Sequence, residues 1–404
     1  MLFLELLIAI LLGISAGIVT GLIPGIHINL VSILLLSVSA YFLNITSPLV
    51  LACFVIAMSI THTFLDSIPS IFLGAPDPDM ALSVLPGHKL LLEGKGYEAV
   101  KLTVIGSLLC LILTILIIPF MIPFVPQLYS FIQPYMGHIL IFVVAYMILK
   151  ESGLNKKVLG LLVFVVSGIL GLIVLNTPNL SQPLLAMLSG LFGVSTLVTS
   201  LNDNVEVPKQ TITDSIKIPK LNTIKALGAA VFSGSLTGMM PGLGAAQAAV
   251  LGMQIVGNVG PYAFMILIGG INTVNFLFSL VTLYTLQKAR NGAVVAVLEI
   301  VKSIDLTDLI VLISCAAIAG GIATFLAMFI TKGFSNIISK INYKIVCISI
   351  ILLISILVLI FNGPLGILIL ITSTALGIIP PQLGIKRSLS MGCLLLPVIL
   401  FFML

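Results

Sequence analysis

Two stretches of this chain are written twice. Gly17-Ile18-Val19-Thr20-Gly21-Leu22-Ile23-Pro24-Gly25 returns as Gly234-Ser235-Leu236-Thr237-Gly238-Met239-Met240-Pro241-Gly242, 217 residues on (234 − 17). Thr61-His62-Thr63-Phe64-Leu65-Asp66-Ser67 returns as Thr273-Val274-Asn275-Phe276-Leu277-Phe278-Ser279, 212 residues on (273 − 61). Two similar offsets point to an internal duplication. Of the 404 residues, 59 % are hydrophobic and only 8 % charged, against roughly 25 % charged in a soluble domain. Apolar stretches of ~17–25 residues, the length that crosses ~30 Å of hydrocarbon, recur throughout. The fold class expected is therefore an all-α polytopic membrane protein made of two repeats. Residues 1–200 form the first repeat, 201–222 a polar cytoplasmic connector, and 223–404 the second repeat.

The distribution of Lys and Arg turns one repeat upside down. Loop 150–157 has Lys150, Lys156 and Lys157, whereas the matching connection near Asn362 is uncharged. Connection 123–135 has no basic residue, but its partner 332–344 has Lys332, Lys340 and Lys344. Loop 176–182 is uncharged, and its partner at 380–387 ends in Lys386 and Arg387. Cytoplasmic loops collect Lys and Arg, so equivalent loops are expected on opposite faces. The connector, with Lys209, Lys217, Lys220 and Lys225, then lies in the cytoplasm and both termini outside. Lys288, Arg290 and Lys302 run against this scheme unless their segment is not a free loop. A net charge of +5 is ordinary loop bias, with no nucleic-acid footprint.

The spans read as 2–22 and 26–44 around Pro24-Gly25, 49–73, 99–122, 136–149, 158–175 and 183–200. In the second copy they read as 223–240 and 243–257 around Pro241-Gly242, 262–287, 306–331, 344–361, 363–379 and 388–403. Residues 74–96 are polar and rich in Pro and Gly, and 289–304 are amphipathic. The first segment has neither a basic n-region nor a small-residue cleavage site and is expected to be retained. Cys53, Cys110, Cys315, Cys347 and Cys393 lack ligand spacing and read as packing residues.

Function should sit where polar groups enter these spans. Pro-Gly cannot continue a helix, and a helix broken inside the bilayer must line protein or water. Gly13, Gly17 and Gly21, then Gly234 and Gly238, provide close helix contact before each break. One reading is a packing kink; the other is a broken or re-entrant helix whose free N–H groups hold an anion. The second makes Pro24, Gly25, His27, Asn29, Pro241, Gly242, Gly244 and Gln247 the substrate-binding candidates. Thr61, His62, Thr63, Asp66 and Ser67, with Asn272, Thr273, Asn275 and Ser279, form the second polar cluster. Intramembrane ionisable groups are costly and usually functional, and His62 and Asp66 share a helix face. A satisfied interhelical hydrogen bond is the plainer alternative to an ion-coupling role. No metal-ligand spacing and no nucleophile–base arrangement argue for an enzyme.

Residues 67–79 are too broken for a simple helix, and Glu93-Gly94-Lys95-Gly96-Tyr97-Glu98-Ala99 opens the next span. A Gly-rich helix ending in Pro-Gly, a Pro-containing loop and then Gly-x-Gly-x-x-Ala resembles the large membrane subunit of tripartite tricarboxylate transporters. The likeness covers both Pro-Gly elements and residues 60–105, with Gly94, Gly96 and Ala99 at that family's Lys-Gly-containing turn. The chain resembles a divergent, short branch: Gly74-Ala75-Pro76-Asp77 replaces the usual Asn-x-Pro-Gly-Thr-Pro-like sequence. The resemblance implies a multi-pass transporter in the cell membrane that moves a small carboxylate anion, coupled to Na⁺ or H⁺ and with no other cofactor. It also implies a small membrane subunit and an extracytoplasmic binding protein as partners. The Gly-rich helix with Ile-Pro-Gly is similar, too, to families that translocate polyprenyl-phosphate lipid carriers.

Overall fold

The computed structural model describes all residues except 1, 24–27, 38, 76–77, 179, 203–206, 214, 241–242, 258, 290 and 340–342; for 2, 29–30, 33–34, 37, 40, 78–79, 85, 202 and 343 it describes the backbone. The first half contains α1 (Leu2–Leu22), α2 (Ile28–Ser37), α3 (Ser39–Phe42), α4 (Pro48–Leu65) and α5 (Ser67–Phe72). A 3-10 turn, Pro78–Ser83, leads into α6 (Val84–Leu92), α7 (Gly96–Met121), α8 (Val125–Ile132), α9 (Met136–Leu149) and α10 (Leu154–Leu175). α11 (Pro183–Leu188) continues through a π-helical turn, Ser189–Val194, into α12 (Ser195–Asn202). The second half contains α13 (Lys220–Met239), α14 (Ala245–Val256), α15 (Gly260–Leu286), α16 (Gly292–Val301), α17 (Leu306–Ile338), α18 (Tyr343–Gln382) and α19 (Gly392–Met403). No strand occurs among the described residues.

Among the described residues nine helical stretches are long and apolar enough to cross a membrane. Gly363, at φ 63°, followed by Pro364, breaks α18 where the sequence separates two spans. The expected span 388–403 is shorter than read: a 3-10 turn takes Arg387–Met391, leaving α19 with 12 residues, about 18 Å at 1.5 Å per residue. The expected single span 49–73 is present as Pro48–Phe72, with a turn at Asp66 between α4 and α5. Pro69 has no N–H to give the Leu65 carbonyl four residues back, so the helical ladder loosens there. Segment 289–304 is no free loop: α16, capped by the Asn291 side chain, buries Ala293, Val294, Ala296, Val297 and Ile300.

Glycines set the closest packing. A Cβ on Gly13, Gly17 or Gly21 would lie 2.5, 2.6 or 2.9 Å from atoms of α4, so only glycine lets α1 approach this closely. Gly17 meets Met58 and Thr61, as Gly234 meets Ile271 and Val274; Gly21 meets His62 and Leu65, as Gly238 meets Asn275 and Phe278. These partners match at an offset of 213 (274 − 61, 271 − 58), one residue from the sequence alignment. His62 is thereby the counterpart of Asn275, and Asp66 of Ser279. The outer helices repeat the pattern. Gly190 meets Leu370 and Ser373 of α18, as Gly392 meets Phe164 and Ser167 of α10. In these two outer contacts, unlike the α1–α4 and α13–α15 ones, a segment of one half seats on a helix of the other.

Two of the charged loops meet. Lys386 pairs with Glu151 at 3.4 Å, and Gly384 lies beside Lys156. The uncharged loops meet elsewhere: Gln182 N–H donates to Asn362 Oδ1 at 2.8 Å, and Asn362 Nδ2 to the Gln182 carbonyl at 2.9 Å. Lys288, out of place in the sequence scheme, stands 5.5 Å from the centre of the Tyr129 ring. The connector straps onto the Gly94–Glu98 turn. Gln210 accepts from Gly96 N–H at 2.8 Å and donates to the Leu91 carbonyl, while Thr211 N–H donates to the Gly94 carbonyl. Thr213 and Tyr262 both donate to the Glu98 carboxylate, at 2.9 and 2.6 Å. Gly94, at φ 79°, and Gly96, whose Cβ would meet Leu91 and Gln210, make room for this strap.

Candidate transport site

Both duplicated helices stop at the Pro-Gly element. α1 ends at Leu22 and the helix resumes at Ile28; α13 ends at Met239 and α14 begins at Ala245. Pro24, Gly25, His27, Pro241 and Gly242 themselves lie outside the described residues, as does the side chain of Asn29 within α2. Met240 and Leu243, which flank the second break, are buried. Gly252 of α14 comes back to Ser233 of α13, so this pair folds as a hairpin within the protein. Gln247 is buried and turns onto its own helix start, where its Oε1 accepts from Gly244 N–H at 3.0 Å.

The second polar cluster is brought together. Asp66 and Asn272 are 1 % and 3 % exposed, and Asn272 Nδ2 donates to Asp66 Oδ2 at 2.6 Å. The joint above Pro69 puts Asp66 at the seam between α4 and α5, where α15 of the other half reaches it. Ser67 Oγ accepts from Thr103 Oγ1 of α7 at 3.0 Å. His62 Nδ1 lies 3.2 Å from Thr20 Oγ1, and at the equivalent place Thr237 Oγ1 stands 3.5 Å from Asn275 Oδ1. Thr63, Thr273 and Ser279 are buried and turn their hydroxyls onto carbonyls of their own helices. Thr61 is buried, and its Oγ1 makes no hydrogen bond among the described residues.

Chemically this is one carboxylate, one imidazole, two amides and several hydroxyls, all removed from bulk water. Oxygen-rich sets of this kind suit a hard monovalent cation or a proton. No cluster of three or more His, Cys, Asp or Glu exists among the described residues to hold a metal ion. Sequence reading missed two parts. Thr20 and Thr237 each face the polar helix of their own half, and their recurrence inside the repeated Gly-x-x-Thr-Gly stretch was the available signal. Arg387 was read as a loop charge, yet it is 7 % exposed and donates through Nη1 to Thr196 Oγ1. It is the only buried Lys or Arg among the described residues.

Helices long and apolar enough to cross a bilayer, paired around a buried polar seam, define a multi-pass membrane protein. The family model for the tripartite tricarboxylate transporter TctA family matches residues 7–392, and the chain belongs to that family. It is also 31 % identical over 390 residues to the uncharacterized protein MJ1079 of Methanocaldococcus jannaschii, covering 94 % of each chain. No solved structure matches it.

Proposed function

We propose that the protein is a secondary transporter of a small carboxylate anion in the cell membrane, driven by Na⁺ or H⁺. The two halves lie inverted in the bilayer, and the cargo binds between them near the Pro-Gly helix ends. The observation that carries this reading is the buried Asp66–Asn272 contact, which joins the two polar helices of a duplicated framework. Inversion is supported by the run of the helices. Along the continuous α4–α5 stretch and α17, Cys53 meets Cys315 and Phe72 meets Phe334, so the two run parallel. Along α7, Thr103 meets Ser67 while Leu111 faces Gly320, beside Ile60 and Phe64, so α7 is antiparallel to α4. α15 follows α7, from Tyr262 at Glu98 to Gly270 at Cys110. α4 and its counterpart α15 therefore run opposite ways, the arrangement that suits alternating access around a fixed midplane site.

The helix starts at Ile28 and Ala245 would present N–H groups to the anion. Asp66, Thr61 and the neighbouring amides would serve the coupling ion, and His62 would orient the site or lend it proton sensitivity. The family's tripartite description supports a small membrane subunit and an extracytoplasmic binding protein as partners. Counterflow in proteoliposomes tests the reading. Labelled citrate and other di- and tricarboxylates should exchange with internal unlabelled substrate, and polyprenyl phosphates should not compete. Absence of counterflow for every carboxylate, with translocation of the lipid phosphate, overturns it.

A further inference from the structure

Beside the charged loops lies an open cavity of about 840 Å³ that the polar seam does not use. Lys89 of α6, Lys150 after α9 and Lys386 before the last 3-10 turn line it, together with Gln254, Ser388 and Gly260. These residues come from distant parts of the chain and from both halves, so three lysines, one of them paired with Glu151, line one space. The N-terminus of the 27-residue α15 is part of the wall and adds its positive dipole end. Behind the wall, Arg387 sits in sequence between the lining residues Lys386 and Ser388. Its guanidinium is buried on Thr196, its Nε has no hydrogen-bond partner, and no carboxylate pairs with it among the described residues. The carboxylate that the cavity's own cations pair with is Glu151, at 3.4 Å from Lys386 Nζ.

We propose that this cavity is an anion site, distinct from the polar seam, that binds a multiply charged oxyanion. Clefts walled by one sign of charge concentrate counter-ions, and a volume within ~300–1,000 Å³ suits a small molecule. A monocarboxylate balances the charge of one ammonium, whereas a di- or tricarboxylate balances and spans several, so the lysines select for charge number. The oxyanion comes from one of two sources, the transported acid or a lipid headgroup. In the first case the inference rests on the transport reading, and the cavity is the station where cargo leaves the protein on the Lys-rich side.

The test uses the full chain carrying Ser388→Cys with an environment-sensitive fluorophore; the five native cysteines are buried. Citrate should change the fluorescence saturably and acetate should not. Replacing Lys89, Lys150 and Lys386 together by Gln should weaken the citrate response about tenfold, the scale expected when several partly exposed charge pairings are lost. Replacing them together by Arg should retain it, which separates lost charge from misfolding. If labelled protein ignores citrate but anionic-lipid nanodiscs give a response lost in the Gln variant, the oxyanion is a headgroup. Equal responses in the Gln variant and the native chain to citrate and lipid alike overturn the proposal. Citrate counterflow measured in parallel keeps the two readings apart: flux without a lysine-dependent signal removes the cavity site and leaves transport standing.

Discussion

Asn272 donates to Asp66 across 2.6 Å of protein interior, and the two residues belong to opposite halves of the chain. A buried carboxylate costs several kcal/mol unless it is hydrogen-bonded or paired, so this contact fixes where the two polar helices meet. It should behave as a pair. Asn272→Ala should lower thermal stability by about 1–3 kcal/mol, the usual cost of stripping a partner from a buried acceptor. The exchanged variant, Asp66→Asn with Asn272→Asp, should recover much of that loss. Differential scanning fluorimetry on the detergent-solubilised chain reads both; no recovery in the exchange would separate the two residues.

The glycine contacts are steric and should fail on adding bulk. Gly17→Val and Gly234→Val place atoms within 2.6 and 2.8 Å of the facing helix, an overpacking that costs about 1–3 kcal/mol. Gly321→Ala, inside α17, meets open space and should be neutral or stabilising by up to about 1 kcal/mol, alanine's helix preference over glycine. Melting temperatures of the three variants check this; equal values would remove close packing as the reason for the glycine rows.

Sidedness follows from which loops touch. Single cysteines at Lys156, Leu383 and Lys344 should react with an impermeant maleimide from the same face, and cysteines at Thr177 and Asn362 from the other. The buried native cysteines keep the background low. Reaction of positions 156 and 344 from opposite faces would contradict inverted halves.

The connector strap predicts a local effect. Gln210→Ala leaves the Gly96 N–H without its partner and takes one of two donors from the Leu91 carbonyl, which keeps the Gly94 N–H. Hydrogen exchange should then speed up around Gly94–Glu98 and leave the α1–α4 contact unchanged. Uniform change across the chain would make Gln210 a general stability residue.

Much of this architecture was legible in the sequence. Hydropathy gave the helical class, and the repeated Gly-x-x-Thr-Gly stretch marked the two close helix contacts. The second duplicated stretch misled by one residue. Matching Thr61 with Thr273 and Phe64-Leu65 with Phe276-Leu277 favours identity, whereas the packing of Gly17 and Gly234 pairs Thr61 with Val274. His62 therefore has an amide counterpart, Asn275, which the alignment assigned to Thr63. Arg387 was hidden because a basic residue next to Lys386 reads as a loop charge; only the chain's path shows that it turns inward onto Thr196. The interruption between α4 and α5 was implicit in Pro69, yet its consequence, an acid delivered to the other half, depends on where α15 packs. The exception allowed for the Lys288 segment, that it is not a free loop, needed the structure as well: composition does not say that α16 is docked.

Coupling is tested most directly at Asp66. Proteoliposomes containing the native chain or Asp66→Asn are compared for citrate uptake driven by an inward Na⁺ or H⁺ gradient, and for citrate counterflow without a gradient. If Asp66 carries the coupling ion, gradient-driven uptake in the variant falls by about tenfold or more, the range of typical coupling free energies, while counterflow persists. Gradient-driven uptake in Asp66→Asn equal to that of the native chain would contradict a transport site built on the Asp66–Asn272 seam.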